Sequence, residues 1–141
     1  MKDGYDIIER DGKIEARVWA LTERELFSRA LLALAAVFRP DAAHMAGEAV
    51  NVHAHVHGEN FLDTLERFLS RVLFETEMHR AIFSAMHIIH LASDEIECEL
   101  VGKKTNHLEE EIEELNVRHD SAATDAKHKR HSVLIEITTL F

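Results

Sequence analysis

The chain has 141 residues, a formal net charge of −10, 46% apolar and 30% charged side chains. That length fits one domain around one core, spanning 1–141, and the composition is that of a soluble globular protein. No apolar run approaches the roughly 20 residues that span a bilayer, and so acidic a surface repels a phosphate backbone, which argues against membrane insertion and direct nucleic-acid binding.

The first residues, MKDGYDIIERDGK, are polar and lack the apolar core of a signal peptide. Tyr5 to Ile8 leans apolar, and Arg10-Asp11-Gly12 reads as a turn. Ile14, Ala16 and Val18 then alternate with Glu15, Arg17 and Trp19, the pattern of a half-buried strand. Thr22 with Glu25 forms a capping-box signature, in which the Thr hydroxyl accepts from the third helical amide and the Glu carboxylate reaches back. Leu26, Phe27, Ala30, Leu31, Leu34 and Val37 follow at helical spacing. Arg39-Pro40 stops this helix, because the residue before Pro avoids the α region.

From Glu48 to His57 the chain alternates cleanly, with Val50, Val52, Ala54 and Val56 on one face and Asn51, His53, His55 and His57 on the other. Gly58 breaks the strand and Asn60 caps a second amphipathic helix reaching about Thr76, with Asp63 favoured in its first turn. Phe83 to Leu91 and Glu95 to Val101 read as two strands joined by a hairpin turn at Ala92-Ser93-Asp94. Residues 103–131 are mostly polar, with Ile112, Leu115 and Val117 fitting either a strand or a helical turn, and Ser121 to Lys129 reads as a loop. The segment VLIEITTL closes the chain as a strand. The expected class is therefore α+β: a two-layer domain with two main helices packed on a mostly antiparallel sheet.

Several side chains stand out chemically. His53, His55 and His57 project from one strand face, so two of them can share Zn²⁺ or Ni²⁺, with His87 or His90 as further ligands. The bland alternative is an unliganded histidine face. Glu75, Glu77, His79 and Arg80 read as a solvated helix end rather than an acid/base cluster. Cys98, the sole cysteine, alternates with Ile96 and Leu100 and reads as a small core residue; it excludes an internal disulfide and suits a reducing cytoplasm. The acidic block at Glu109–Glu114 and the basic one at Lys127–His131 read as solvated segments or a partner-docking surface.

The order of elements and particular residues resemble the archease family over roughly Tyr5 to Thr138. Arg17-Val18-Trp19-Ala20 is similar to the family's Arg-x-Trp-Gly strand end, and Glu25-Leu26-Phe27 to its E-L-F helix. The run Thr76 to Ser84, which ends in Phe83-Ser84, the Gly at 102, and Ile135-Glu136-Ile137 near the end also match. The resemblance implies an SHS2-like strand-helix-strand-strand fold. It also implies a non-enzymatic role as protein cofactor or chaperone of the tRNA-splicing RNA ligase, which would make that ligase the protein partner. Archeases hold a metal on Asp residues of an Asp-His-Thr-Ala-Asp run and of the last strand, so the resemblance makes Ca²⁺ or Mg²⁺ the candidate cofactor.

Aligned on Arg17 and Trp19, that acidic run falls on Glu9 to Lys13. Glu9 then stands for the first Asp, Lys13 for the second and Glu136 for the Asp of the last strand, with Asp11 as a further acidic candidate. His119 matches a family His, and Arg118 stands where a Tyr is expected. An ammonium has three donors and no acceptor, so Lys13 cannot ligate a cation. A degenerate metal site without bound metal is the expectation, with Lys13 bridged to Glu136 or Glu9. Two other functions remain open: a divergent protein-binding module on the same fold, and a His-based metal-binding protein. Oligomeric state is not legible in the sequence.

Overall fold

Asp11-Gly12 forces the first chain reversal. Both residues have positive φ, 48° and 78°, as a two-residue hairpin turn matched to strand twist requires. The turn joins β1 (Tyr5–Arg10) to β2 (Lys13–Ala20), with Arg10 opposite Lys13. The structure is a computed structural model and describes residues 4–106, 111–120 and 131–140.

Helix α1 (Glu23–Phe38) starts where Thr22 Oγ1 accepts from Glu25 N at 3.1 Å. Its Glu25 carboxylate turns to Arg29 at 3.3 Å rather than back to the cap. Arg39 is extended ahead of Pro40, as the sequence requires. A short 3₁₀ turn at Ala42–His44 leads to β3 (Ala49–His57). Asn60 then caps α2 (Phe61–His79) through Asp63 N at 2.9 Å, and the Asp63 carboxylate accepts from Glu59 N at 2.8 Å. The helix runs past Thr76 because its stop is Arg80, left-handed at φ 47°. A non-glycine in that conformation leaves no sequence signal.

The remainder is β: β4 (Ala81–Ala92), β5 (Glu95–Lys104), β6 (Glu111–His119) and β7 (His131–Leu140). Ile112, Leu115 and Val117 thus lie on a strand. All pairings are antiparallel, in two sheets of order β1-β2-β7-β6 and β3-β5-β4. The expected α+β class is observed, with the strands divided between two sheets and each helix packing on both: α1 on β2 and β4, α2 on β6, β3 and β4.

One apolar cluster joins the elements. Ile14, Ala16 and Val18 of β2, Val133, Ile135 and Ile137 of β7, and Ile96, Cys98 and Leu100 of β5 all face it. Phe27 of α1 meets Phe61 and Phe68 of α2 edge-on, with ring centroids 5.6 and 5.4 Å apart. Such pairs add specific attraction to the area that they bury. Strand β6 is an edge, and α2 protects it: Glu66 Oε1 accepts from Val117 N at 2.8 Å. Among the described residues no helix is long and apolar enough to cross a membrane. The segment 121–129, expected as a loop, lies outside the described residues, as do Glu109 and Glu110 of the acidic block and all of the basic block but His131; the rest of the acidic block is on β6.

Candidate functional site

Strand alternation decides which of the candidate residues can meet. On the face of the four-stranded sheet turned away from the helices, Lys13 stands opposite Thr138 and Glu15 opposite Glu136. Strand β6 adds Glu114 beside Thr138 and Asn116 beside Glu136. These side chains line a cleft of about 130 Å³, to which Glu15, Glu114 and Glu136 bring carboxylates and Lys13 an ammonium. Like charges directly across a ladder destabilise it; Glu136 is relieved by Arg118, whose Nε lies 3.1 Å from Glu136 Oε1. Among the described residues Lys13 forms no ion pair, so the expected bridge to Glu136 or Glu9 is absent.

Glu9 is on the other side of the sheet. It stands opposite the buried Ile14 and borders a groove with Tyr5, Ile7, Ala36 and Val37. His119, opposite buried Val133, also faces the helix side, and Asp11 occupies the hairpin turn. Glu9 and His119 are therefore separated from Glu136 by the sheet. The residues present do not fit a hard dication. Calcium wants six to eight oxygens, whereas Lys13 lines the cleft and Arg118 already holds Glu136.

A different constellation forms on the outer face of the three-stranded sheet. The register sets His53, His55 and His57 of β3 against Glu99, Glu97 and Glu95 of β5. On the far side His87 stands opposite Glu99 and His90 opposite Glu97. His87 and His90 have opposite parity along a regular strand. They share a face because β4 bulges between Ile88 and His90, and a bulge re-aims the side chains beyond it. Side chains lean along the strands, so His53 Nε2 meets Glu97 Oε2 at 2.8 Å and His55 Nε2 meets Glu95 Oε2 at 2.6 Å. Glu95 also receives His57 at 3.5 Å and His90 at 3.2 Å. The hydrogen bond from His55, with the charges of His57, His55 and His90, holds the Glu95 carboxyl below its ordinary value. Of the expected histidine trio, His55 and His57 converge and His53 pairs elsewhere. Glu95, which the sequence reading passed over, is the residue on which they meet. Its signal was the Glu95, Glu97, Glu99 alternation, which antiparallel pairing of β5 with β3 sets against three alternating histidines.

Two further corrections concern helix α2 and the end of β6. Glu75 is 5% exposed and ion-paired to Arg71 at 3.1 Å and His79 at 3.4 Å, so this helix end is not simply solvated. Asp120, also missed, is buried beside Arg17 Nε at 3.7 Å. Cys98 is the core residue expected, and burial pushes its thiol up to about 11.

No curated protein matches the chain. The solution structure of Methanobacterium thermoautotrophicum protein 1598 is similar in fold, with 14% identity and a TM-score of 0.64 over 96% of this chain and 99% of that one. The model of the "Archease protein family (MTH1598/TM1083)" matches residues 5–127. With the strand end Arg17–Ala20 and the Glu25-Leu26-Phe27 helix start both inside that match, the chain belongs to the archease family.

Proposed function

We propose that this chain is a non-catalytic accessory protein of the tRNA-splicing RNA ligase or a related RNA-processing enzyme. Family membership over residues 5–127 is the observation that carries the reading. A net charge of −10 is consistent with docking on a protein, because it opposes direct contact with a nucleic-acid backbone. In this reading the cleft of Lys13, Glu15, Glu114 and Glu136 is a charged contact surface, with no divalent ion bound there. Lys13 occupies the place of a ligand and supplies its own positive charge among the carboxylates. The test adds the protein to the RNA ligase of its own organism and follows guanylylation over many turnovers. Acceleration is expected even when the accessory protein carries no metal. No acceleration, with or without divalent metal, rejects the role.

One observation favours a second reading, a docking module that has left the ligase. Lys13 and Arg118 both introduce cations where the family resemblance places a metal ligand and a Tyr. Failure of the guanylylation assay together with stable capture of another RNA-processing protein by the Lys13 face would select it.

A further inference from the structure

The histidine face of the three-stranded sheet is remote in kind from the acidic cleft and does not depend on the ligase reading. We propose that His55, His57, His90 and Glu95 form a binding site for a nitrogen-preferring transition-metal ion such as Zn²⁺ or Ni²⁺. Three imidazoles converge on one carboxylate. Glu95 Oε2 lies 2.6 Å from His55 Nε2 and 3.5 Å from His57 Nε2, and Glu95 Oε1 lies 3.2 Å from His90 Nε2. The donor atoms of His55, His57 and Glu95 all lie within 4.8 Å of one another. The two β3 rings are 4.6 Å apart between centroids, tilted rather than splayed.

Zinc binds imidazole nitrogen at about 2.0–2.1 Å and carboxylate oxygen at about 2.0–2.2 Å, so the edges of a tetrahedral site are about 3.4 Å long. The observed contacts already bracket that length. The imidazoles are on exposed side chains, which leaves their χ1 and χ2 free to turn toward an ion. Backbone placement is already set: β3 presents two ligands at i and i+2, β5 presents Glu95 directly opposite His57, and the β4 bulge presents the third imidazole. Borderline nitrogen donors favour Zn²⁺, Ni²⁺ or Cu²⁺ over Mg²⁺ and Ca²⁺, which prefer an all-oxygen shell. Among the described residues no ion pair joins Glu95 to a lysine or arginine. The lysine on this face of β5, Lys103, is eight positions from Glu95, about 26 Å along a strand.

Titration of the full chain with Zn²⁺ by calorimetry, and with Co²⁺ by visible absorption, tests the assignment. The expected result is one tight ion per chain and the intense absorption of a tetrahedral, nitrogen-ligated Co²⁺. His57→Ala and Glu95→Gln should each weaken binding at least tenfold. His87→Ala, on the same face of β4 but opposite Glu99, further along β5 from Glu95, should leave it unchanged. All of these positions are on the sheet surface, and an unaltered thermal transition confirms that each variant is folded. Binding that survives in the double variant His55→Ala/His57→Ala overturns the proposal, because the ion then sits elsewhere. A weak octahedral Co²⁺ spectrum, or no uptake by the wild-type chain, overturns it as well.

Discussion

Removing the Glu66 carboxylate should loosen one amide of one strand. Glu66 on α2 accepts from Val117 N at 2.8 Å, and Val117 belongs to the edge strand β6. An edge amide pointing away from its sheet has no ladder partner, so a side chain or water must satisfy it. A hydrogen bond to a charged acceptor contributes about 1.5–3 kcal/mol. Glu66 is half-buried and Val117 can turn to water once the carboxylate is gone, so the low end applies, about 1.5 kcal/mol. At about 1.4 kcal/mol per decade, Glu66→Ala should raise the exchange rate of the Val117 amide roughly tenfold. Glu66→Gln keeps a neutral acceptor of about half the strength, so its effect should be roughly threefold. Amide exchange followed by NMR reads this residue by residue. An unchanged Val117 rate in Glu66→Ala would refute the reasoning. A uniform acceleration through β1, β2 and β7 would refute it too, by showing that the loss is global.

Lys13→Asp replaces the single ammonium of the acidic cleft with another carboxylate beside Glu15, Glu114 and Glu136; Ca²⁺ uptake by calorimetry should appear in the variant and be weak or absent in the wild type, and equal uptake by both would contradict the account of Lys13. The Asp63 carboxyl is held below its ordinary value first by the Glu59 amide and then by Arg67. Its stabilisation is therefore present above the ordinary carboxylate value, near 4, and is lost as pH falls through the depressed one. Asp63→Asn should lower stability at pH 7 and flatten that acid limb in denaturation experiments, and an NMR midpoint for Asp63 at or above the ordinary value would count against it. Cys98, buried and pushed up to about 11, should resist thiol reagents in the native protein at pH 8 and react promptly in denaturant; fast native labelling would show that the β5 interior opens readily.

The helices were legible because their signals are local. Thr22 and Asn60 cap as their side-chain chemistry demands, and Pro40 forbids continuation of α1. The Ser93-Asp94 reversal and the alternation of β3 and β5 were equally plain. Division into two sheets was not, because partner choice among strands depends on contacts distant in sequence. The candidate sites divided on the same ground. Linear alignment put Glu9 near Glu136, whereas pleating sends them to opposite faces, since Glu9 pairs with Ile14 and Glu15 with Glu136. The histidine face was visible as a pattern, but its focus on Glu95 arises from register and from a bulge in β4 that no residue type announces.

The sheet order has a consequence for how the chain acquires its shape. The strands β3, β5 and β4 are neighbours by way of one helix and one tight hairpin, so that sheet can assemble as soon as Lys104 is available. The other sheet cannot. Its strand β7 runs between β2 and β6, and the pairing joins Lys13 to Thr138. Until β7 arrives, the β1-β2 hairpin shows one bare edge, although α1 already has β2 and β4 to pack against. During synthesis the protein therefore passes through a stage in which the core still lacks Val133, Ile135 and Ile137 of β7. Close matching of loop-closure entropy against late, non-local contacts makes that stage slow and open to association. A truncation before His131 removes Val133, Ile135 and Ile137 from the single core that both helices share, so it should destabilise the β3-β5-β4 sheet together with the hairpin.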